Sequence, residues 1–357
     1  MPNSQDKTEI RLETSIAGMR REKSAIVRPC HRYALTFLSV VILMAPAVNP
    51  LDPAFRHELH AQAAPSAIVY SASFSPDGQY LAWSSNYGPV RLREVATGRE
   101  VRTMASGGVG LVFSGDSQFL ACGCTAQSVC LWEVATGRQI RKLESPTGVT
   151  SLAFSPDGRF LAIGSPGPSV SVREVATGRA VRTMVGHRDH TLLPAVAFSP
   201  SNRYIASGGA YNTVKLWEAA TGREVRTFMA SHSLNGLPVV LCIAFSPGGR
   251  YLASGSQEPT VRLWDVTTGR QVHALAGHTS MVLSIAFSSD GRYLATGSQD
   301  CTVKIWEVAA GREVRTFSGH TARILAVSFS RDGRFVSAWG EDNTLKTWEI
   351  TRQRAGP

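Results

Sequence analysis

Beyond about residue 56 the chain alternates apolar with small or polar positions in short runs separated by glycine-containing turns. The clearest unit is residues 281–308, MVLSIAFSSDGRYLATGSQDCTVKIWEV. SIAFS and RYLATGS carry the period-two pattern of strands, and Asp290-Gly291 between them closes a hairpin. TVKIWEV reads as a third strand. The first hairpin returns at Phe74, Phe113, Phe154, Phe198, Phe245, Phe287 and Phe329. The third strand returns in step, with its aromatic position at Arg93, Trp132, Arg173, Trp217, Trp264, Trp306 and Trp348.

A repeat of about 40 to 45 residues with four strands per unit is the spacing of propeller blades. Gly186-His187, Gly277-His278 and Gly319-His320 precede first strands, and Trp-Asp or Trp-Glu ends the third strands. On these residues the chain after position 56 resembles the WD-repeat β-propeller family. The resemblance implies an all-β, seven-bladed propeller whose first strand completes the last blade. HELHAQ (57–62) precedes Phe74 by the distance at which REVRTF (312–317) precedes Phe329, and is expected to supply that strand. The propeller is expected over residues 56–350, with a tail at 351–357.

Residues 1–55 stand outside the repeats. The run 33–48, YALTFLSVVILMAPAV, is apolar and uncharged, nearer in length to a signal-peptide core than to a spanning helix of about 20 residues. Arg28, His31 and Arg32 precede it and Ala45-Pro46-Ala47 offers a cleavage site. The expectation is an exported protein, periplasmic or extracellular. An uncleaved membrane anchor and a cytoplasmic protein with an apolar tail are the alternatives.

The turns share one chemistry. Ser-Pro-Asp-Gly sets proline where φ near −65° is needed and glycine where φ is positive, and Asn202 and Ser117 stand in that glycine's place. Ala-Thr-Gly-Arg makes the second hairpin in the same way. The resemblance also implies a buried hydrogen-bond chain in each blade, running from a histidine through a serine or threonine and an aspartate to the tryptophan. Blade 6 supplies His278, Thr296, Asp300 and Trp306. Blade 7 has His320, Asp342 and Trp348, with Ala338 for the hydroxyl residue; blade 4 puts Tyr211 at the aspartate position, and blade 5 has Glu258 there. Blades 1 to 3 lack most of the set and are expected to be softer.

His278, Asp300 and Thr296 have the residue types of a hydrolytic triad, but the repeat register accounts for each without a substrate. No nucleophile elbow, phosphate loop or metal-type histidine pair is present. Accordingly no catalytic residue, cofactor, metal or small-molecule substrate is expected. Cys122, Cys124 and Cys130 do not fit zinc spacing and read as strand residues, with a Cys124–Cys130 disulfide open if the chain is exported.

Charge adds one further feature. The formal net charge is +10, from 37 Lys and Arg against 27 Asp and Glu. Arginines recur at the third-strand turn (Arg99, Arg138, Arg179, Arg223, Arg270, Arg312), on the outer strand (Arg102, Arg141, Arg182, Arg226, Arg315) and at the start of the second strand (Arg159, Arg203, Arg250, Arg292, Arg334). These turns emerge at one end of a propeller. That end reads either as a solvated rim, neutralised by Glu94, Glu133 and their equivalents, or as a docking face for an anionic surface. Few aromatics accompany it, so no specific nucleic acid is expected. The opposite end carries the loops that differ between repeats. There Tyr87, His190, Tyr211, Leu234, Met281, Arg323 and Glu341 are the candidate contacts for a protein or peptide partner.

Overall fold

The computed structural model describes residues 59–60, 69–85, 88–104, 108–125, 127–145, 148–187, 195–229 and 238–350. The chain divides into a unit of residues 1–36 and a unit of residues 37–357. The leader, with its apolar run 33–48, and the tail lie outside the described residues. Among the described residues no helix is long and apolar enough to cross a membrane.

Seven four-stranded antiparallel sheets form the ring. Blade 6 is built from Val282–Phe287, Tyr293–Ser298, Val303–Glu307 and Arg312–Phe317, paired in that order. First strands of successive blades pack against one another, and the first strand of blade 7 packs against that of blade 1, so the sheets close round an axis. This placement changes the meaning of the alternation. VLSIAF of blade 6 is buried at every position, because a neighbouring sheet covers each of its faces. Its serine does not face water: the Ser284 hydroxyl accepts a bond from the Val327 amide of the next blade at 2.8 Å. Ser71 accepts in the same way from Leu111 at 3.0 Å.

The turn residues hold the conformations expected of them. Gly291 has φ 70°, and Asn202 and Ser117 take its left-handed place at 59° and 61°. Each Ser-x-Asp turn is tied inward, as where the Ser288 hydroxyl donates to Asp290 at 2.6 Å and accepts from the Tyr293 amide at 2.9 Å.

The strand that closes the ring is Leu59–His60, which pairs with the third strand of blade 7 as Leu59 with Leu345 and His60 with Thr344. This corrects the alignment of HELHAQ with REVRTF by three residues. Blade 6 pairs Val303 with Phe317, and the same ladder position in earlier blades holds Met104, Leu143, Met184, Phe228 and Leu275. A large apolar residue is what this position requires. Leu59 meets that requirement; Gln62, the match by distance alone, does not.

A second device joins blade to blade on the outside. The outer-strand arginine of each blade donates to backbone carbonyls in the third-strand turn of the next. Arg102 reaches Ala135 and Thr136, Arg141 reaches Ala176 and Thr177, and Arg182 reaches Ala219. Arg226 bonds Thr267 and Thr268 at 2.9 and 3.0 Å. His273 takes the role with Ala309, and Arg315 bonds the Glu349 carbonyl at the end of the third strand of blade 7. All six junctions from blade 1 to blade 7 carry this clasp.

The junction where the chain ends meet is filled differently. Blades 2 to 6 have a glycine at this seam position, where blade 1 has Ser84, and the glycine lets the next inner strand approach: a Cβ on Gly255 would stand 2.7 Å from Cys242 and 2.8 Å from Val282. Blade 7 has Trp339 at the corresponding position, and the inner strand of blade 1 offers Ala72 where blade 7 itself has Val327. Trp339 meets Trp83 with ring centroids 5.4 Å apart, in a cluster with Ala72, Phe74, Leu81, Leu325 and Leu345. Trp83 occupies the place of Thr296, and Arg93 the place of Trp306. The Arg93 guanidinium lies 5.1 Å over the Trp83 ring, so blade 1 has moved its large aromatic from the third strand to the second.

Candidate functional site

The antiparallel meander sends the first-to-second and third-to-fourth turns to one end of the ring. The second-to-third turns and the connectors between blades emerge at the other. The second end is the candidate partner face, and in blades 6 and 7 a buried hydrogen-bond chain shapes it.

In blade 6 the His278 ring has Nδ1 2.8 Å from Asp300 and Nε2 2.7 Å from the Thr296 hydroxyl, which also accepts from Trp306 Nε1 at 2.9 Å. Asp300 accepts from the Thr279 amide in the connector at 3.0 Å and from the Thr302 amide and hydroxyl in its own turn at 2.9 and 2.6 Å. One carboxylate therefore ties a connector to a turn. Burial by itself would raise the Asp300 pKa, but the bonds from His278 and Thr302 outweigh it and hold the carboxyl far below the usual range. Asp342 of blade 7 is held down in the same way by His320, the Thr321 amide and Thr344. Ala338 offers His320 Nε2 no hydroxyl, and that atom is buried without a hydrogen-bond partner among the described residues. Trp348 packs edge-on to His320 at 5.8 Å and stacks on Phe317 at 5.3 Å.

Blade 4 keeps His187 to Ser207 at 2.7 Å and Trp217 to Ser207 at 2.8 Å. With no carboxylate opposite it, His187 is pushed down to about 4 by burial and by the charge of Lys215, against a smaller pull from Glu224. In blade 5 the Glu258 carboxylate pairs instead with Arg262 at 2.7 Å.

Around the mouth of the ring, equivalent positions of successive blades come together. The Gln299 amide donates to the Met281 carbonyl and the Glu341 amide to the Arg323 carbonyl, both at 2.9 Å. Arg323 and Glu341 also pair through their side chains at 2.7 Å. All four residues are half-buried. Tyr211 stands at the turn position equivalent to Asp300, with φ 61°. Tyr87, His190 and Leu234 lie outside the described residues. Gln257 and Gln299 share the ladder position of Glu341 and were not among the expected contacts. The signal was available, since each follows directly after the last residue of its second strand.

At the opposite end most of the arginines have partners. The outer-strand set is taken up by the clasps. Those that open the second strand lie over the aromatic residue beside them, Arg203 over Tyr204 at 5.1 Å and Arg250 over Tyr251 at 5.0 Å, with the same pairing at Arg159, Arg292 and Arg334. Of the turn set, Arg312 pairs with Glu307 at 2.7 Å. Carboxylates of Asp77, Asp116, Asp157, Asp290 and Asp332 occupy the same end, one in most first hairpins. Among the described residues no group of three or more His, Cys, Asp or Glu is placed to hold a metal.

Residues 98–133, 137–171, 178–218, 222–265, 269–307 and 311–349 match the WD40 family, described as WD domain, G-beta repeat. The matches cover well over half of the chain, which belongs to this family. WD40 propellers are generally protein-interaction scaffolds and typically not enzymes. No curated protein matches the chain. The first three strands of blade 1, with the exchanged tryptophan and arginine, precede the first matched segment.

Proposed function

We propose that the protein is a non-enzymatic scaffold that holds a partner peptide or protein at the loop-bearing mouth of the ring, on blades 6 and 7 above all. The observation that carries this is the contrast between held backbone and divergent side chains. Asp300 and Asp342 pin connector to turn in the same way in both blades, while the residues displayed beside them change from Met281 and Gln299 to Arg323 and Glu341. Loops held in place are prepared for binding without a further ordering cost. Met281 offers an apolar contact and the Arg323–Glu341 pair a charged one.

The test is affinity capture from the native host with the full chain as bait. A partner lost from M281A/R323A/E341A, kept by R179E/R223E on the other end, and held through moderate salt is the expected result. Steep loss with salt, together with loss in R179E/R223E, would replace this reading with a polyanion or anionic-surface binder. That alternative has the weaker support, since the arginines at that end share it with carboxylates and most of them bond to or lie over their own chain. Export or membrane anchoring through residues 33–48 remains part of the proposal, and N-terminal sequencing of the mature protein tests it.

A further inference from the structure

Blade 2 has no histidine in its connector and no carboxylate in its second turn, Thr125-Ala126-Gln127. It has instead a disulfide between Cys124 and Cys130, with Cα atoms 5.5 Å apart. Ladder register sets Cys124 at the place of Ser298 and Cys130 at the place of Lys304. The bridge therefore spans the turn that Asp300 pins in blade 6. We infer that the Cys124–Cys130 disulfide does for the second-to-third turn of blade 2 what Asp300 does for the turn of blade 6, so that this corner of the loop-bearing face is fully assembled only where protein thiols are oxidised.

Only the importance of that face rests on the proposed function; the bridge and its effect on the turn stand apart from it. Formation is an exchange with a disulfide donor. The two cysteine thiols lose two electrons and two protons, one S–S bond forms, and the donor leaves as two thiols. Both cysteines are buried, at 6% and 2% exposure, so an outside thiol reaches the bridge only after the turn opens. Cys122 lies directly opposite Cys130 in the ladder. Burial pushes its thiol up to about 12, so it stays protonated at neutral pH and does not attack its neighbour.

The experiment uses the full chain, purified under air and quenched with a maleimide. Peptide mapping without reductant is expected to return a Cys124–Cys130 linked peptide, with Cys122 labelled only after unfolding. A trialkylphosphine then cleaves the bridge, taking its oxygen from one water and leaving two thiols. Amide hydrogen exchange over residues 119–133 should quicken on the order of tenfold or more, as expected when a short closed loop is released, with residues 293–307 unchanged. C124S/C130S should exchange like the reduced protein and ignore the phosphine; if it does not fold, phosphine treatment of the natural chain still decides. Free, labelled Cys124 and Cys130 in the oxidised preparation would overturn the inference. So would unchanged exchange once the bridge is open. Capture of a partner enters neither outcome, so failure here is distinguishable from failure of the proposed function.

Discussion

Blade 6 and blade 1 share strands, turns and register, but the contents of the space between their second and third strands are exchanged. Blade 6 puts a threonine on the second strand and a tryptophan on the third, joined by a hydrogen bond and extended to His278 and Asp300. Blade 1 puts Trp83 on the second and Arg93 on the third, joined by stacking. Polar wiring fixes one geometry because each member needs its partner; aromatic packing asks only for matching shape. The wired blades support the loops beside them, whereas the packed one seals the ring.

The largest effect should come from the seal. Trp339→Ala removes a fully buried ring and is expected to cost about 3 to 5 kcal/mol in denaturant unfolding. Trp83→Ala should cost nearly as much, and the double variant less than the sum because the rings touch. Additive losses would show that the two do not act as one seal.

Acid separates the wired blades from one another. His187 takes a proton near pH 6.5 when unfolded but only at about 4 in the ring. As pH falls between those values the unfolded chain gains a proton that the folded one refuses, so about 3 kcal/mol of stability is lost and the loss then levels off. Asp300 and Asp342 act lower. Their depressed folded values mean a contribution intact above about pH 4 and lost as pH falls further. Urea midpoints at pH 7, 5.5 and 4 should fall for the natural chain and stay nearly level between 7 and 4 for H187Q.

Next in size is Thr296→Val, which removes the hydroxyl that joins His278 and Trp306 and should cost about 2 kcal/mol. Its mirror, Ala338→Thr in blade 7, gives His320 Nε2 a partner and should stabilise by about 1 kcal/mol. A loss there would mean that blade 7 has repacked around the alanine. Smallest is the clasp: Arg226→Ala should cost about 1 kcal/mol or less, since its bonds to neutral carbonyls are exposed.

Much of this was legible in the chain. Strand count, turn type, seven-fold closure and the His278, Thr296, Asp300 and Trp306 set follow from residue types recurring at fixed spacing. What escaped depends on neighbours far along the sequence. Trp83 and Trp339 break the repeat pattern, and their reason appears only where the first blade meets the last. The outer arginines read as a charged rim because their acceptors are backbone carbonyls 33 to 42 residues onward, which no residue type announces. The closing strand was misplaced by three because distance was matched ahead of the apolar ladder position. The expected softness of blades 1 to 3 also narrows. Blade 1 has Trp83 packed on Trp339 of blade 7 and blade 2 its disulfide, leaving blade 3, with Ile163 and Arg173 in the network positions, as the blade whose amides should exchange fastest.

The outer-strand clasp runs one way round the ring, each blade gripping its successor by groups that belong to the shared repeat unit: a guanidinium or imidazole in front, bare carbonyls behind. Any duplicated unit thus arrives with a fitting for both of its new neighbours. A chain of such units can lengthen by copying without inventing an interface at the point of insertion, and only the place where the two ends meet demands a bespoke solution.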